Sequence, residues 1–162
     1  MGTLETLMTL PVRDWEVVVG KFLGSYLFLL VGIVLTLPLT IIVGSLGPLD
    51  WGTTFCGYLG LALLGATYLA IGLWVSSLTE NQIVAFIGSA VLCTILFLAG
   101  VDIILTSLPR WIVPFMKGLS VGSHFDSVQR GVIDSRDAIY YLSMIGFFLF
   151  LNARSVEDRM GK

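Results

Sequence analysis

The chain has 162 residues, of which 56% are hydrophobic and only 12% charged, with a formal net charge of −2 at pH 7. Soluble domains carry about 25% charged residues, and a soluble fold of this length would leave roughly a third of its surface in water. The composition therefore excludes a water-soluble globule and makes the bilayer the natural solvent. The slight acidity leaves no basic face for nucleic acid.

In chain order, residues 3–9 place Leu4, Leu7 and Met8 on one helical face, with Glu5 and the threonines opposite, which predicts a short amphipathic helix on a membrane surface. Pro11 cannot continue that helix and biases Leu10 away from it. Asp14 suits the N-cap or first turn of a second helix, and Trp15 an interfacial belt. This helix is predicted to span over about 14–46. Pro38 should kink it, with the Thr36 and Thr40 hydroxyls meeting the freed carbonyls. Gly47-Pro48-Leu49-Asp50 reads as a tight turn.

Charge is absent from Phe22 to Leu49, from Trp51 to Thr79 and from Asn81 to Val101, and each run reaches the roughly 20 residues a spanning helix needs. The second span is expected over 54–77, with Ala62, Ala66 and Ala70 at four-residue spacing and Gly65 and Gly72 nearby, a small-residue face suited to close packing within the chain. Ser76 to Gln82 forms a polar hinge before a third span over 82–101. The segment 102–136 is too polar to span. With Pro109, Arg110, Pro114 and Lys117 among its apolar residues, it predicts short broken helices at an interface or re-entering the membrane. A fourth span over 137–153 is short, and reaches across if Asp137 and Arg154 snorkel. A charged tail, 154–162, follows.

The fold class expected is thus an all-α integral membrane protein forming a single domain over 1–162. Four spans place both termini on one side. That side would hold Arg13, Lys21, Arg154, Arg159 and Lys162, against Arg110, Lys117, Arg130 and Arg136 on the other, a balance too even to set the orientation by positive charge.

Chemistry-bearing residues are sparse. His124 is the single histidine, and Ser120, Ser123 and Ser127 lie near it without a GxSxG turn, so a polar loop or interface role outweighs a hydrolase centre. Asp102 reads as interfacial rather than as a proton relay. Asp126, Asp134 and Asp137 alternate with Arg130 and Arg136, which favours local ion pairs over a cation site. Cys56 and Cys93 sit in apolar runs as packing residues. Met1-Gly2 with Thr6 fits a myristoylation pattern loosely, but a multispan protein gains nothing from a lipid anchor. No leader with a small-residue cleavage site precedes the first run. No GxxxxGK[ST] phosphate loop occurs, so no ATP site of that type is expected in the chain, nor a cofactor, a metal or a catalytic residue.

The stretch GTLETLMTLPVRDWEVVVGK, through Gly2, Thr3, Glu5, Leu7, Pro11, Gly20 and Lys21, resembles the segment between the second and third spans of ABC-2 type transporter permeases. SSLTENQIVAF, Ser76 to Phe86, is similar to that family's cytoplasmic hinge, and SHFDSVQRGVIDSRD, Ser123 to Asp137, to the outer loop before its last span. The likeness is nearest to permeases associated with gliding motility and related bacterial exporters, and it covers nearly the whole chain. It implies a coupling helix at about 3–10 that docks a separate ABC ATPase subunit, with Thr3, Glu5, Leu7, Met8 and Arg13 as the contact residues. It further implies a second permease subunit, identical or not, a bacterial inner membrane, both termini cytoplasmic, and the loop 102–136 outside. Such permeases have six spans, two of them before the coupling helix. This sequence starts at the coupling helix, which reads as a fragment or a misassigned start. The function expected is that of an exporter's permease subunit, with a lean toward lipid-like or amphipathic cargo because the spans carry no charge within their apolar stretches. The competing expectations are a membrane scaffold or assembly factor acting through 102–137 and, behind it, an intramembrane hydrolase around His124.

Overall fold

Helix boundaries fall where the sequence supplies caps and breaks. The computed structural model describes residues 14–107, 109–131 and 134–160. Among them the elements are α1 (Asp14–Leu35), α2 (Leu37–Leu46), α3 (Trp51–Leu78), α4 (Gln82–Leu98), α5 (Asp102–Thr106), α6 (Val113–Leu119), α7 (Val121–Gln129) and α8 (Ser135–Met160), with no strand. Asp50 caps α3 by accepting from the backbone N–H of Gly52 at 3.0 Å and of Thr53 at 3.3 Å. Asn81 caps α4 in the same way through Ile83 N–H at 2.9 Å. Ser120 caps α7 through Ser123 N–H at 3.4 Å.

The expected kink is a break between α1 and α2 at Thr36, with Pro38 in the first turn of α2, where its missing N–H costs nothing. The Thr36 hydroxyl donates to the Ile33 carbonyl at 2.6 Å, as anticipated. Thr40 differs: its hydroxyl pairs at 2.6 Å with the Tyr58 hydroxyl of α3, which Thr36 also reaches at 3.0 Å. A phenol on the neighbouring helix thus takes up the polar groups around the break.

Among the described residues, three stretches are long and apolar enough to cross a membrane: Trp15–Leu46, Trp51–Leu78 and Ser135–Glu157. The helix expected over 82–101 stops at Leu98 and has 17 residues, or about 25 Å. It stops there because Val101 turns extended and α5 starts at Asp102. The last helix outruns its expected end at 153 and continues to Met160, since residues 154–160 contain neither glycine nor proline.

α3 is the central element and packs against α8, α4, α1 and α7. Its small-residue face does what its spacing suggests, with Ala66 and Ala70 fully inside the chain. The core joins Phe22 of α1, Ala70 and Ile71 of α3, Leu96 of α4, Val121 of α7 and Tyr141 of α8. Phe148 closes it against Trp74, with ring centroids 5.4 Å apart. Gly60 lets α7 settle on α3, since a Cβ there would meet Val128 Cγ1 at 2.5 Å. Gly131 ends α7 with φ +77, a conformation that favours glycine, and its carbonyl receives the Cys56 thiol at 3.5 Å. Cys56 and Cys93 are free thiols. On α1 and α2 large apolar side chains stand exposed, among them Phe28, Leu35, Leu39 and Leu46. A surface of this kind is at home in lipid or under a partner rather than in water.

Candidate functional site

Antiparallel packing gives the bundle two polar ends. At the foot, α1 begins, α3 finishes, α4 begins and the last turns of α8 pass. At the head, the α2–α3 turn and the end of α4 meet α5, α6, α7 and the start of α8.

The foot is where α1 enters the bundle. Val18 and Phe22, one turn apart on α1, are buried, and Phe22 belongs to the core cluster, so the first turns of α1 are locked to α3 and α8. Ser155 of α8 donates to the Ser77 carbonyl of α3 at 3.5 Å, and Ser77 donates to the Trp74 carbonyl at 2.6 Å. Between the three helices lies a crevice of about 400 Å³ with Lys21, Ser76 and Asn152 in its wall. Thr3, Glu5, Leu7, Met8 and Arg13, the expected docking residues, lie outside the described residues, as does the expected coupling helix.

The head is clamped by polar contacts. His124 of α7 and Asp137 of α8 approach to 2.6 Å between Nδ1 and Oδ1, with 21% and 9% of their side chains exposed. Tyr140 stacks on the His124 ring at 4.0 Å between centroids and donates its hydroxyl to the Leu119 carbonyl at 2.6 Å. Tyr141, fully buried, donates to the Val121 carbonyl at 3.1 Å. Ser120 reaches the Phe97 carbonyl at 3.3 Å and ties the same corner to α4. Thus five side chains fasten α7 and its leading corner to α8 and α4.

Two sequence expectations change here. His124 sits in a helix rather than a loop. Asp137 serves that histidine rather than a neighbouring arginine. The reason is geometric: Arg136 and Asp137 are adjacent on a helix and point apart, while α7 folds back to bring His124 over Asp137. Asp134 accepts from the backbone N–H of Arg136 at 3.0 Å, a local turn contact. Asp102 is exposed and lies 3.8 Å from Lys117 Nζ.

The His124–Asp137 pair has the orientation of a hydrolase dyad, but the serines are engaged elsewhere. Ser127 donates to the His124 carbonyl at 3.2 Å, and Ser123 to the Lys117 carbonyl at 2.7 Å. His124 Nε2 is buried with no hydrogen-bond partner, so no hydroxyl is in place to be activated. The arrangement suits a mechanical clamp better than a nucleophile. Among the described residues, no group of three or more His, Cys, Asp or Glu side chains is placed to hold a metal ion.

Comparison with known proteins adds a family. A model described as "ABC-2 family transporter protein" matches residues 1–151. The "Probable multidrug ABC transporter permease YbhR" of Escherichia coli K12 is 28% identical over 117 residues, which is 68% of this chain and 30% of that protein. Its counterpart in Escherichia coli O157:H7 matches to the same extent. The chain thus spans under a third of the length of these curated relatives. No solved structure matches.

Proposed function

The chain belongs to the ABC-2 transporter family, and from that premise we propose that it is a permease subunit of an ATP-driven exporter. In this reading four helices span a bacterial inner membrane, α1 with α2, α3, α4 and α8. Both termini are cytoplasmic, the helices α5 to α7 lie outside, and a second permease subunit completes the pathway. The subunit is not itself an enzyme; ATP is hydrolysed in a separate ABC subunit. The family match over residues 1–151 carries this reading.

The architecture supplies a mechanism. A surface helix over 3–10 receives the ATPase, with Leu7 and Met8 seated in its cleft and Thr3, Glu5 and Arg13 at the rim. Pro11 separates that helix from α1, so displacement rather than bending reaches Asp14. Val18 and Phe22 then hand the displacement to α3 and α8, because a close-packed core passes on strain instead of absorbing it. The bundle rocks between two packings. The charge-free spans fit an amphipathic cargo better than a small ion, in keeping with the multidrug description of the relatives.

The packing of the head favours this reading over a scaffold. Val121 and Val128 of α7 are buried where that helix packs on α3 and α4, and Leu105 of α5 is buried, so much of 102–129 is built into the bundle rather than freely presented. The test is assembly with the ATPase. Glu5→Arg with Leu7→Asp should abolish ATPase co-purification from membranes while leaving permease abundance unchanged. Undiminished co-purification would overturn the docking assignment.

A further inference from the structure

From the foot crevice and the groove above it, we infer that the chain binds an anionic phospholipid, with the phosphate in the crevice and an acyl chain along α1. This stands on the membrane-spanning arrangement alone and is independent of ATPase coupling.

Asn152 is 5% exposed, yet its amide makes no hydrogen bond to another described residue. Asn152 lies in the crevice wall, where its amide faces the open space rather than closed packing. Lys21 borders the same space and has no ion-pair partner among the described residues. Ser76 adds a hydroxyl, and among the described residues no carboxylate lines the crevice. One cation, an amide and a hydroxyl with no acid among them describe a site for an anion. At about 400 Å³ the space is far larger than a single water needs, at about 30 Å³.

The position narrows the anion to a headgroup. Lys21 stands fewer than two turns from Trp15 on α1, and Ser76 occupies the last turn of α3, so the crevice opens at the interfacial level of the spans. The same face of α1 runs on through Ser25, Phe28 and Gly32 at steps of four, three and four residues. That face borders a groove of about 740 Å³, walled on α3 by Leu61, Gly65 and Leu69. Leu73, a further four residues along α3, is part of the crevice itself. Polar donors at the interface thus give way to an apolar channel running about 16 Å along α1 from Lys21 to Gly32. That gradient is the profile of a phospholipid, and a soluble anion has no use for the groove.

The experiment is native mass spectrometry of the purified full chain, titrated with phosphatidylglycerol or phosphatidylcholine. The wild type should retain phosphatidylglycerol preferentially. Lys21→Gln, at an exposed position that does not threaten folding, should lower that affinity about fivefold and leave phosphatidylcholine unchanged. Asn152→Leu should lower it about tenfold. Arg110→Gln, a charge change at the head, should have no effect. Lys21→Gln behaving as wild type would overturn the inference, as would Arg110→Gln weakening binding equally. If inorganic phosphate displaces phosphatidylglycerol from the wild type, the occupant is a soluble anion and the lipid assignment fails.

Discussion

The clamp between α7 and α8 yields an asymmetric mutational signature. Asp137→Ala leaves His124 Nδ1 without its partner on a side chain 21% exposed, at a cost of about 1–3 kcal/mol. His124→Ala does more harm. It strands a carboxylate only 9% exposed, whose second oxygen already has no partner, and an uncompensated buried charge costs about 3–5 kcal/mol. It also removes the ring stacked on Tyr140, worth about 0.5–1.5 kcal/mol. The double variant removes donor and acceptor together, so its cost should fall short of the summed single costs by about 1.5–3 kcal/mol. Equilibrium unfolding in mixed micelles of rising SDS fraction, followed by far-ultraviolet circular dichroism, measures all three. Additivity within about 0.5 kcal/mol, or Asp137→Ala costing more than His124→Ala, would refute the reasoning.

Gly60→Ala should destabilise by about 1–3 kcal/mol through contact with Val128, and Val128→Ala should recover part of the loss in the same unfolding assay. Tyr58→Phe removes the hydroxyl shared by Thr36 and Thr40 and should cost about 0.6–1.7 kcal/mol, the range for hydrogen bonds between helices in a membrane, with Thr40→Val giving part of that effect. The Asp50 carboxyl is held below its ordinary value of 3.8 chiefly by the Thr53 hydroxyl, then by the backbone N–H groups of Thr53 and Gly52. A depressed folded-state value makes its contribution fully present above 3.8 and lost as pH falls through the lower folded-state value. Asp50→Ala should therefore flatten the acid limb of a thermal-melting profile below about pH 4 and lower the melting temperature at neutral pH.

What the sequence makes legible is set by how local the physics is. The first two charge-free runs, the Asp50 cap of α3 and the small-residue face of α3 are properties of consecutive residues and are found in the structure, while Gly47 to Asp50 is an extended connection rather than a tight turn. Pro38 is legible as a disruption, but the break falls at Thr36 because proline is tolerated in the first turn of a helix that starts after the break. The ends of α4 and α8 miss their expected positions for a related reason: hydropathy locates apolar stretches, whereas helices end at breakers. The His124–Asp137 pair is illegible because its thirteen-residue separation carries meaning only once α7 has folded back on α8. The alternation of acids and bases between Asp126 and Asp137 suggests neighbours pairing with neighbours, and it is the helix period that denies Asp137 its adjacent arginine.

The two ends of the bundle are built for different mechanical duties. At the foot, a single turn of α1 carrying Val18 and Phe22 inserts into the core, so an axial push there is felt by α3 and α8 without an intervening joint. Farther along, α1 gives way at Thr36, and beside the break the hydroxyls of Thr36 and Thr40 meet that of Tyr58 on α3. Under the proposed coupling, motion entering at the foot would pass sideways into the core through Val18 and Phe22. The head, meanwhile, is fastened by His124, Tyr140, Tyr141 and Ser120. Under the proposed coupling, a bundle driven at the foot, broken at Thr36 along its driven helix and clamped at the head would change shape in the seam between α1 and α3, the same seam that borders the proposed lipid groove.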